Sequence, residues 1–384
     1  MKKSKEHKIH LSKSKFFPET IYRSLFGEEV AFNDANLLVF EDSLECYLAE
    51  SRSVAVLNSG TAAIHLALIL SNIKAEDEVI CQSFTFTASA NPITYQGAKP
   101  IFIDSEKDTW NMCPLALEEA IKDKIYKGEK PKAIIVVHLY GMPAKIAEIA
   151  SIAKKYEIIL IEDAAEALGS TYKGQKCGTF GDYGILSFNG NKIITTSGGG
   201  ALVCKNDKDK QKAIFLATQA RDNVPHYQHS VIGYNYRMSN ILAGIGRGQM
   251  EVLDKHIELR REMNQFYNNI FQGIKGVSVF SKSSSEYYSN HWLSCIIIDE
   301  ATTGFSREDL RLQLEKDNIE SRPLWKPMHL QPVFKDCDYF GGTVAEDLFT
   351  TGLCLPSGSN LTKDDRERIK RSIKRILSNL PLRF

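Results

Sequence analysis

Ile158-Ile159-Leu160-Ile161-Glu162-Asp163-Ala164-Ala165-Glu166 is a run of four apolar residues that passes straight into acids. A short, nearly continuous apolar run of this kind fits a strand buried on both faces, as in a parallel sheet covered by helices. The acids then fall at the carboxyl end of the strand. In open α/β sheets ligands bind at that edge. Asp163 has two readings there: a cap for a following helix, or a carboxylate presented to a ligand.

The same pattern extends to both sides. Residues 53–57 read as a strand and 62–70 as the helix after it, and 78–81, 100–103 and 133–137 are further Val- and Ile-rich runs. Between the last of these and residue 158, residues 144–155 place Ile146, Ile149, Ala150 and Ala153 on one helical face. This alternation implies right-handed crossovers and an α/β architecture with a mainly parallel sheet. Residues 240–271 read as one long helical stretch, with Ile241, Ile245, Leu253, Ile257 and Met263 on a drifting apolar face. It would lead into a smaller C-terminal α+β domain, dividing the chain into 1–250 and 251–384. Residues 108–132 and 281–285 read as surface connections.

The chain has 384 residues, 43% hydrophobic and 25% charged, with a formal net charge of +1. That balance excludes a broad electrostatic grip on nucleic acid, which needs many cations against phosphates. No apolar run reaches the roughly 20 residues of a membrane-spanning helix. The basic start is followed by mixed polar and aromatic residues, not by the apolar core of a secretory signal. The eight cysteines are scattered without a CxxC pair, so no zinc or dithiol motif arises. A cytoplasmic protein with reduced thiols and no metal is the expectation.

Two further segments carry chemistry. Asn58-Ser59-Gly60-Thr61-Ala62-Ala63 stands between a strand and a helix. Helix N-termini offer unpaired N–H groups to a phosphate, Gly60 allows close approach, and the Ser59 and Thr61 hydroxyls add donors. Such a turn also serves simply to cap a helix. In Gly184-Ile185-Leu186-Ser187-Phe188-Asn189-Gly190-Asn191-Lys192, a strand runs into a polar turn and a single lysine. Two apolar residues, Thr195-Thr196-Ser197 and the triplet Gly198-Gly199-Gly200 follow. A lysine can form an imine with an aldehyde, and burial tunes it for that use. What distinguishes this chain is the order: phosphate cradle, acid-ended strand, then strand, turn and lysine.

With these segments in place the chain resembles the DegT-type sugar-nucleotide aminotransferases of pyridoxal-phosphate fold type I, along almost its whole length. Besides the segments above, the match includes Thr85-Phe86 with Ala88-Ser89, Gly97-Ala98-Lys99-Pro100-Ile101-Phe102-Ile103-Asp104 and His138-Leu139-Tyr140-Gly141. Further on it includes Gly233-Tyr234-Asn235-Tyr236-Arg237-Met238 and Ser321-Arg322-Pro323-Leu324-Trp325-Lys326-Pro327-Met328-His329. Asn189-Gly190-Asn191-Lys192, the segment 322–329 and Cys354-Leu355-Pro356-Ser357-Gly358 together look closest to the bacillosamine-pathway enzymes. Those aminate a UDP-linked 4-keto-6-deoxy-N-acetylhexosamine.

The resemblance implies pyridoxal 5'-phosphate as cofactor, a large cofactor-binding α/β domain and a smaller C-terminal one. Lys192 would hold the cofactor as a Schiff base and move the proton, and Asp163 would pair with the pyridine nitrogen. Glu166, where relatives often have Gln or His, would approach the ring hydroxyl. Phe86 would stack on the ring, or else be a buried core aromatic. Ser59, Gly60, Thr61 and Ser187 would hold the phosphate, and Asn235 would reach the phosphate of a neighbouring subunit, making a homodimer with shared sites. Arg237, Trp325, Lys326 and His329 would meet the nucleotide sugar; an indole, a cation and a donor suit a uridine diphosphate, while Trp325 also reads as a domain-interface residue. His138 reads as structural. The implied reaction moves an amino group from L-glutamate, giving 2-oxoglutarate, to C4 of the UDP-linked sugar.

The start of the chain departs from the family pattern, with Ser12-Lys13-Ser14-Lys15 and Phe32-Asn33-Asp34 ahead of Phe40-Glu41. The alternatives are a dTDP- or GDP-linked keto sugar aminated at C3 or C4, a sugar dehydratase, an amino-acid-metabolising enzyme of this fold, or a non-catalytic regulator. A dehydratase of this type carries His where this chain has Lys192.

Overall fold

The computed structural model describes residues 7–12, 35–49, 51–281 and 284–378. The atypical 13–15 and 32–34 lie outside the described residues. In chain order the strands of the first two thirds are β1 Ser53–Leu57, β2 Glu78–Gln82, β3 Lys99–Ile103, β4 Ala133–Val137 and β5 Ile159–Asp163. They continue with β6 Thr171–Tyr172, β7 Gln175–Lys176, β8 Tyr183–Ser187 and β9 Gly200–Cys204. The last third adds β10 Val277–Val279, β11 Tyr287–Tyr288, β12 Ser294–Ile298, β13 Arg322–Pro323, β14 Tyr339–Phe340 and β15 Gly352–Leu355.

Eight strands form the large sheet, in the order β1-β9-β8-β5-β4-β2-β3-β14. It is parallel from β8 to β14 and antiparallel only where β9 lies between β1 and β8. Every residue of β2 and β4 is buried. Alternation along β4 splits the core in two: Ile134 and Val136 meet Leu117, Ile121 and Ile149 on one side, while Ala133 and Ile135 share the other with Ile64 and Ala213. Each Val, Leu or Ile side chain removed from water there contributes about 1.5–3 kcal/mol. The apolar runs therefore become strands because both faces are covered by helices.

A second, four-stranded sheet has the order β10-β12-β15-β13. Helices Leu253–Phe271, Arg307–Lys316 and Lys363–Leu377 bury Met263, Leu314 and Ile373 against its Ile296 and Leu353. The regions before and after residue 250 interleave. Ile9 bridges Ile319, β11 pairs with β6, and β14 closes the edge of the large sheet beside β3.

Two expectations are corrected. Residues 108–132 are not a surface connection: Thr109, Trp110, Asn111 and Met112 are buried, Trp110 stacks on Phe280, and Pro114–Tyr126 is a helix. Pro114 starts that helix at a position where its missing N–H costs nothing. The buried stripe of Ala116, Leu117, Ala120 and Ile121 is hidden in sequence by interleaved charges. The long stretch 240–271 is two helices, Asn240–Met250 and Leu253–Phe271. In the first, Ala243, Gly244, Gly246 and Gly248 face inward, while Ile241 is 56% exposed. A Cβ at Gly246 would collide with the Phe40 ring. Glycines that allow close helix approach carry no hydrophobic signature, so Ile241 does not mark the inward face of this helix, while Leu253, Ile257 and Met263 of the second are buried as expected.

Candidate active site

A cavity of about 740 Å³ opens at the carboxyl ends of β5 and β8, a size suited to a cofactor with part of its substrate. At one wall, helix Gly60–Leu70 begins. Ser59 caps it, its Oγ accepting the Ala62 N–H at 3.0 Å. Gly60 and Thr61 line the cavity, and helix geometry gives their N–H groups no acceptor within the helix. A Cβ at Gly60 would stand 3.2 Å from Ser187 Cβ, and one at Gly200 would run into the backbone of Ser59 and Gly60. Two glycines thus let the helix start, the end of β8 and the start of β9 converge, with the Ser187 hydroxyl beside the helix N-terminus.

The paired acids at the end of β5 do different work because strand residues alternate in direction. Glu162 points away from the cavity and is fully buried. Its carboxylate accepts from His138 Nε2 at 2.9 Å and from the N–H groups of Gly178, Phe180 and Gly181 at 2.9, 2.6 and 2.5 Å. The Ala144 N–H donates to His138 Nδ1, so that ring carries its proton on Nε2. Asp163 lines the cavity. Its Oδ2 accepts from Ser89 Oγ at 2.6 Å and its Oδ1 from the Ala165 N–H at 3.1 Å.

Lys192 leaves a closed loop held by Lys192 N–H to Asn189 O, Thr196 N–H to Phe188 O, and the buried Ile193 and Ile194. Its Nζ donates to Glu166 Oε1 at 3.1 Å and lies 4.2 Å from the centroid of the Trp292 ring. Glu166 Oε2 accepts the Tyr140 N–H at 2.8 Å. Tyr140 has φ 54°, left-handed for a non-glycine, a strain of about 1 kcal/mol or more. Burial pushes the Glu166 carboxyl above its ordinary range, against the opposing pull of the Lys192 cation.

Aromatic rings form the remaining wall. Phe86 is 55% exposed and lines the cavity, not the core. The Trp325 ring lies 5.6 Å from the Phe86 ring and 5.1 Å from the Tyr140 ring, and the Trp325 backbone N–H donates to the Tyr140 hydroxyl. The structure therefore gathers Ser59, Gly60, Thr61, Phe86, Asp163, Glu166, Ser187, Lys192 and Trp325 around one space. It places the other named residues elsewhere in this chain. Arg237 binds Glu41 and the Val56 carbonyl. His329 Nδ1 shares a 2.7 Å hydrogen bond with Ser83 Oγ, and its ring faces Glu346 and stacks on Tyr339. Lys326 and Asn235 are exposed. Sequence reading missed Trp292 and the hydroxyl of Tyr140; neither stands at a spacing that signals chemistry.

The sequence model of the DegT/DnrJ/EryC1/StrS aminotransferase family matches residues 24–374. The chain belongs to this family. It is 52% identical over 335 residues to the Bacillus subtilis protein EpsN, named as a pyridoxal phosphate-dependent aminotransferase, covering 85% of each chain. It is 39% identical to the GDP-perosamine synthase of Escherichia coli O157:H7, over 84% of this chain and 85% of that one. It is 38% identical, over 89% of both, to the UDP-4-amino-4,6-dideoxy-N-acetyl-beta-L-altrosamine transaminase of Campylobacter jejuni. Among solved structures, a family member from Brucella abortus matches with TM-score 0.84 and 27% identity over 94% of this chain and 95% of that one.

As a DegT-family enzyme the protein is a pyridoxal-phosphate-dependent sugar aminotransferase. The residues present fit that cofactor. A helix N-terminus with adjoining hydroxyls suits its phosphate, a strand-end carboxylate suits its ring nitrogen, and a lysine amine in the same cavity suits its aldehyde. No helix among the described residues is long and apolar enough to cross a membrane.

Proposed function

We propose that this DegT-family enzyme aminates C4 of a UDP-linked 4-keto-6-deoxy-N-acetylhexosamine, with L-glutamate as donor, and works as a homodimer. The observation that carries the reading is Lys192, held by Glu166 in the cavity that Asp163 and the start of helix Gly60–Leu70 both line. When bound, the cofactor supplies an aldehyde for amines and a ring that accepts the electron pair left on carbon when a proton departs. Lys192 would hold that aldehyde carbon and then move the proton between substrate and cofactor. Asp163 would keep the ring nitrogen charged, and Glu166 would meet the ring hydroxyl. Phe86 would cover the ring, while Ser59, Gly60, Thr61 and Ser187 would bind the phosphate. The half-buried Trp325 borders the same space as a wall for the sugar. Lys326 and His329, outside the cavity, would belong to its nucleotide approach.

The UDP-linked substrate is supported by the Campylobacter jejuni relative, whose name specifies a UDP-4-amino sugar. The GDP-perosamine synthase at 39% identity favours a second reading, a GDP-linked keto sugar. A dimer is supported by Asn235, exposed and therefore able to reach a second copy, near Tyr227 and Ile232, which are 81% and 83% exposed. Such an exchange suits two-fold symmetry, since each chain gives and receives the same contact.

The test is amination by the purified holoenzyme of a panel of UDP-, dTDP- and GDP-linked 4-keto-6-deoxy sugars with glutamate, read by mass spectrometry, alongside sedimentation. Preference for the UDP-linked N-acetylated sugar by a dimer is expected. Amination of the GDP-linked sugar alone selects the second reading. Rapid exchange between amino acids and 2-oxo acids, with every keto sugar untouched, overturns both.

A further inference from the structure

Trp292 is 2% exposed and its ring stands 4.2 Å from Lys192 Nζ. Two ties fix that placement across a sequence separation of a hundred residues. The indole Nε1–H donates to the carbonyl of Asn191, the residue before the lysine, at 2.7 Å. The fully buried Arg260 donates from Nη1 to the Trp292 carbonyl at 2.6 Å and from Nη2 to the Lys192 carbonyl at 3.4 Å. Lys192 thus has two partners with a preference for positive charge: the Glu166 carboxylate and an aromatic face. The face of an indole carries negative quadrupole density, and it attracts an ammonium more strongly where water is excluded.

We propose that Trp292 is a positioning residue that receives the Lys192 ammonium whenever an amino donor displaces it from the cofactor, keeping it beside the reacting carbon as proton carrier. The inference rests on Lys192 being the cofactor's lysine. In the displacement the donor nitrogen forms its C=N bond to the carbon that Lys192 held, and the C=N bond to Lys192 breaks. The protons shed by the donor ammonium pass to the lysine nitrogen, so charge and atoms balance. The Glu166 carboxylate holds the released ammonium on one side, and the Trp292 face bounds it on the other. Trp292 offers it a fixed seat whose attraction is stronger for the compact ammonium than for the same nitrogen in a C=N bond, where any charge is spread over the cofactor.

That difference in attraction makes Trp292 favour displacement itself, which can be read without turnover. The holoenzyme is titrated with 2-methylglutamate, which forms the C=N bond but has no α-hydrogen to lose, and the cofactor absorbance gives the apparent affinity. Trp292→Leu should weaken that affinity about tenfold, the scale of a desolvated cation–π contact. Trp292→Phe keeps a ring face while losing the same bond to Asn191, and should weaken it by about threefold at most. In a Lys192→Ala background there is no lysine to seat, and Trp292→Leu should leave the affinity unchanged. Should Trp292→Leu fail to fold, Trp292→Met serves as the non-aromatic variant.

Equal weakening in both backgrounds would mean that Trp292 touches the donor or merely supports the fold, and would overturn the proposal. So would equal effects of Phe and Leu, or no weakening at all. Borohydride reduction of the holoenzyme separates the two levels of the argument. A label on another lysine sinks the proposed role of Lys192 and this inference with it. A label on Lys192 with flat titrations sinks this inference alone.

Discussion

Asp163→Asn replaces one oxygen by an NH2 group, and the structure says what each consequence is worth. The asparagine carbonyl can keep the Ala165 N–H, now 3.1 Å from Oδ1. The new NH2 faces Ser89 Oγ, which at present donates to Oδ2 at 2.6 Å. Ser89 has a second partner, Thr85 Oγ1 at 2.8 Å, so its proton can turn there while its lone pair accepts from the amide. Ala165, the new amide and Ser89 all stay bonded, and the exchange of a charge-assisted bond for a neutral one costs about 1 kcal/mol of stability. Activity responds differently, because the lost charge is the one proposed to hold the cofactor's ring nitrogen protonated. Removing one preorganised electrostatic group from a closed site costs about 3–4 kcal/mol, a fall of about 100- to 1000-fold in kcat. Urea unfolding and steady-state kinetics on one preparation measure both quantities. Near-normal turnover would show that the carboxylate is only a cap for the turn after β5. A stability loss matching the catalytic loss would show that the site rearranges, and the reasoning from Ser89 would fail.

Glu162→Gln should do the reverse, costing stability first. Either orientation of the amide sets its NH2 against two of the four donors around Glu162, and His138 cannot change tautomer because Nδ1 already accepts from Ala144. Two buried donors left unpaired cost about 3–5 kcal/mol, read as a lowered denaturation midpoint; a loss under about 1 kcal/mol would contradict the assignment. Glu166 governs a pH effect. Burial raises its carboxyl above the ordinary value of 4.5, so across that window the folded chain holds a proton that the unfolded chain has lost. The stability this contributes is fully present below the ordinary value and is lost as pH rises through the raised one. Compared with Glu166→Gln, the wild type should therefore lose ground as pH rises above the ordinary value of 4.5; a constant difference would mean that Lys192 cancels the burial.

By itself the sequence determined the layered α/β architecture and three of the site's anchors. Apolar runs such as 133–137 and 159–161 have no other stable home than a sheet covered on both faces, so the strand ends, and with them Asp163, follow from local pattern. Ser59-Gly60-Thr61 and the turn carrying Lys192 are likewise continuous segments whose chemistry is written in neighbouring residues. Only the tertiary structure decided which side chains meet across long separations. Trp292 reaches Lys192 because Arg260 and Asn191 tie two distant loops, and Tyr140 reaches Glu166 because the chain accepts a left-handed backbone there. Tertiary contacts also drew Arg237 and His329 into internal bonds that their motif positions do not announce. They turned the glycines of helix Asn240–Met250 inward, where closeness and not hydrophobicity sets the packing. Periodicity records which face of an element leaves water, whereas the partner that each polar group finds there depends on elements far along the chain.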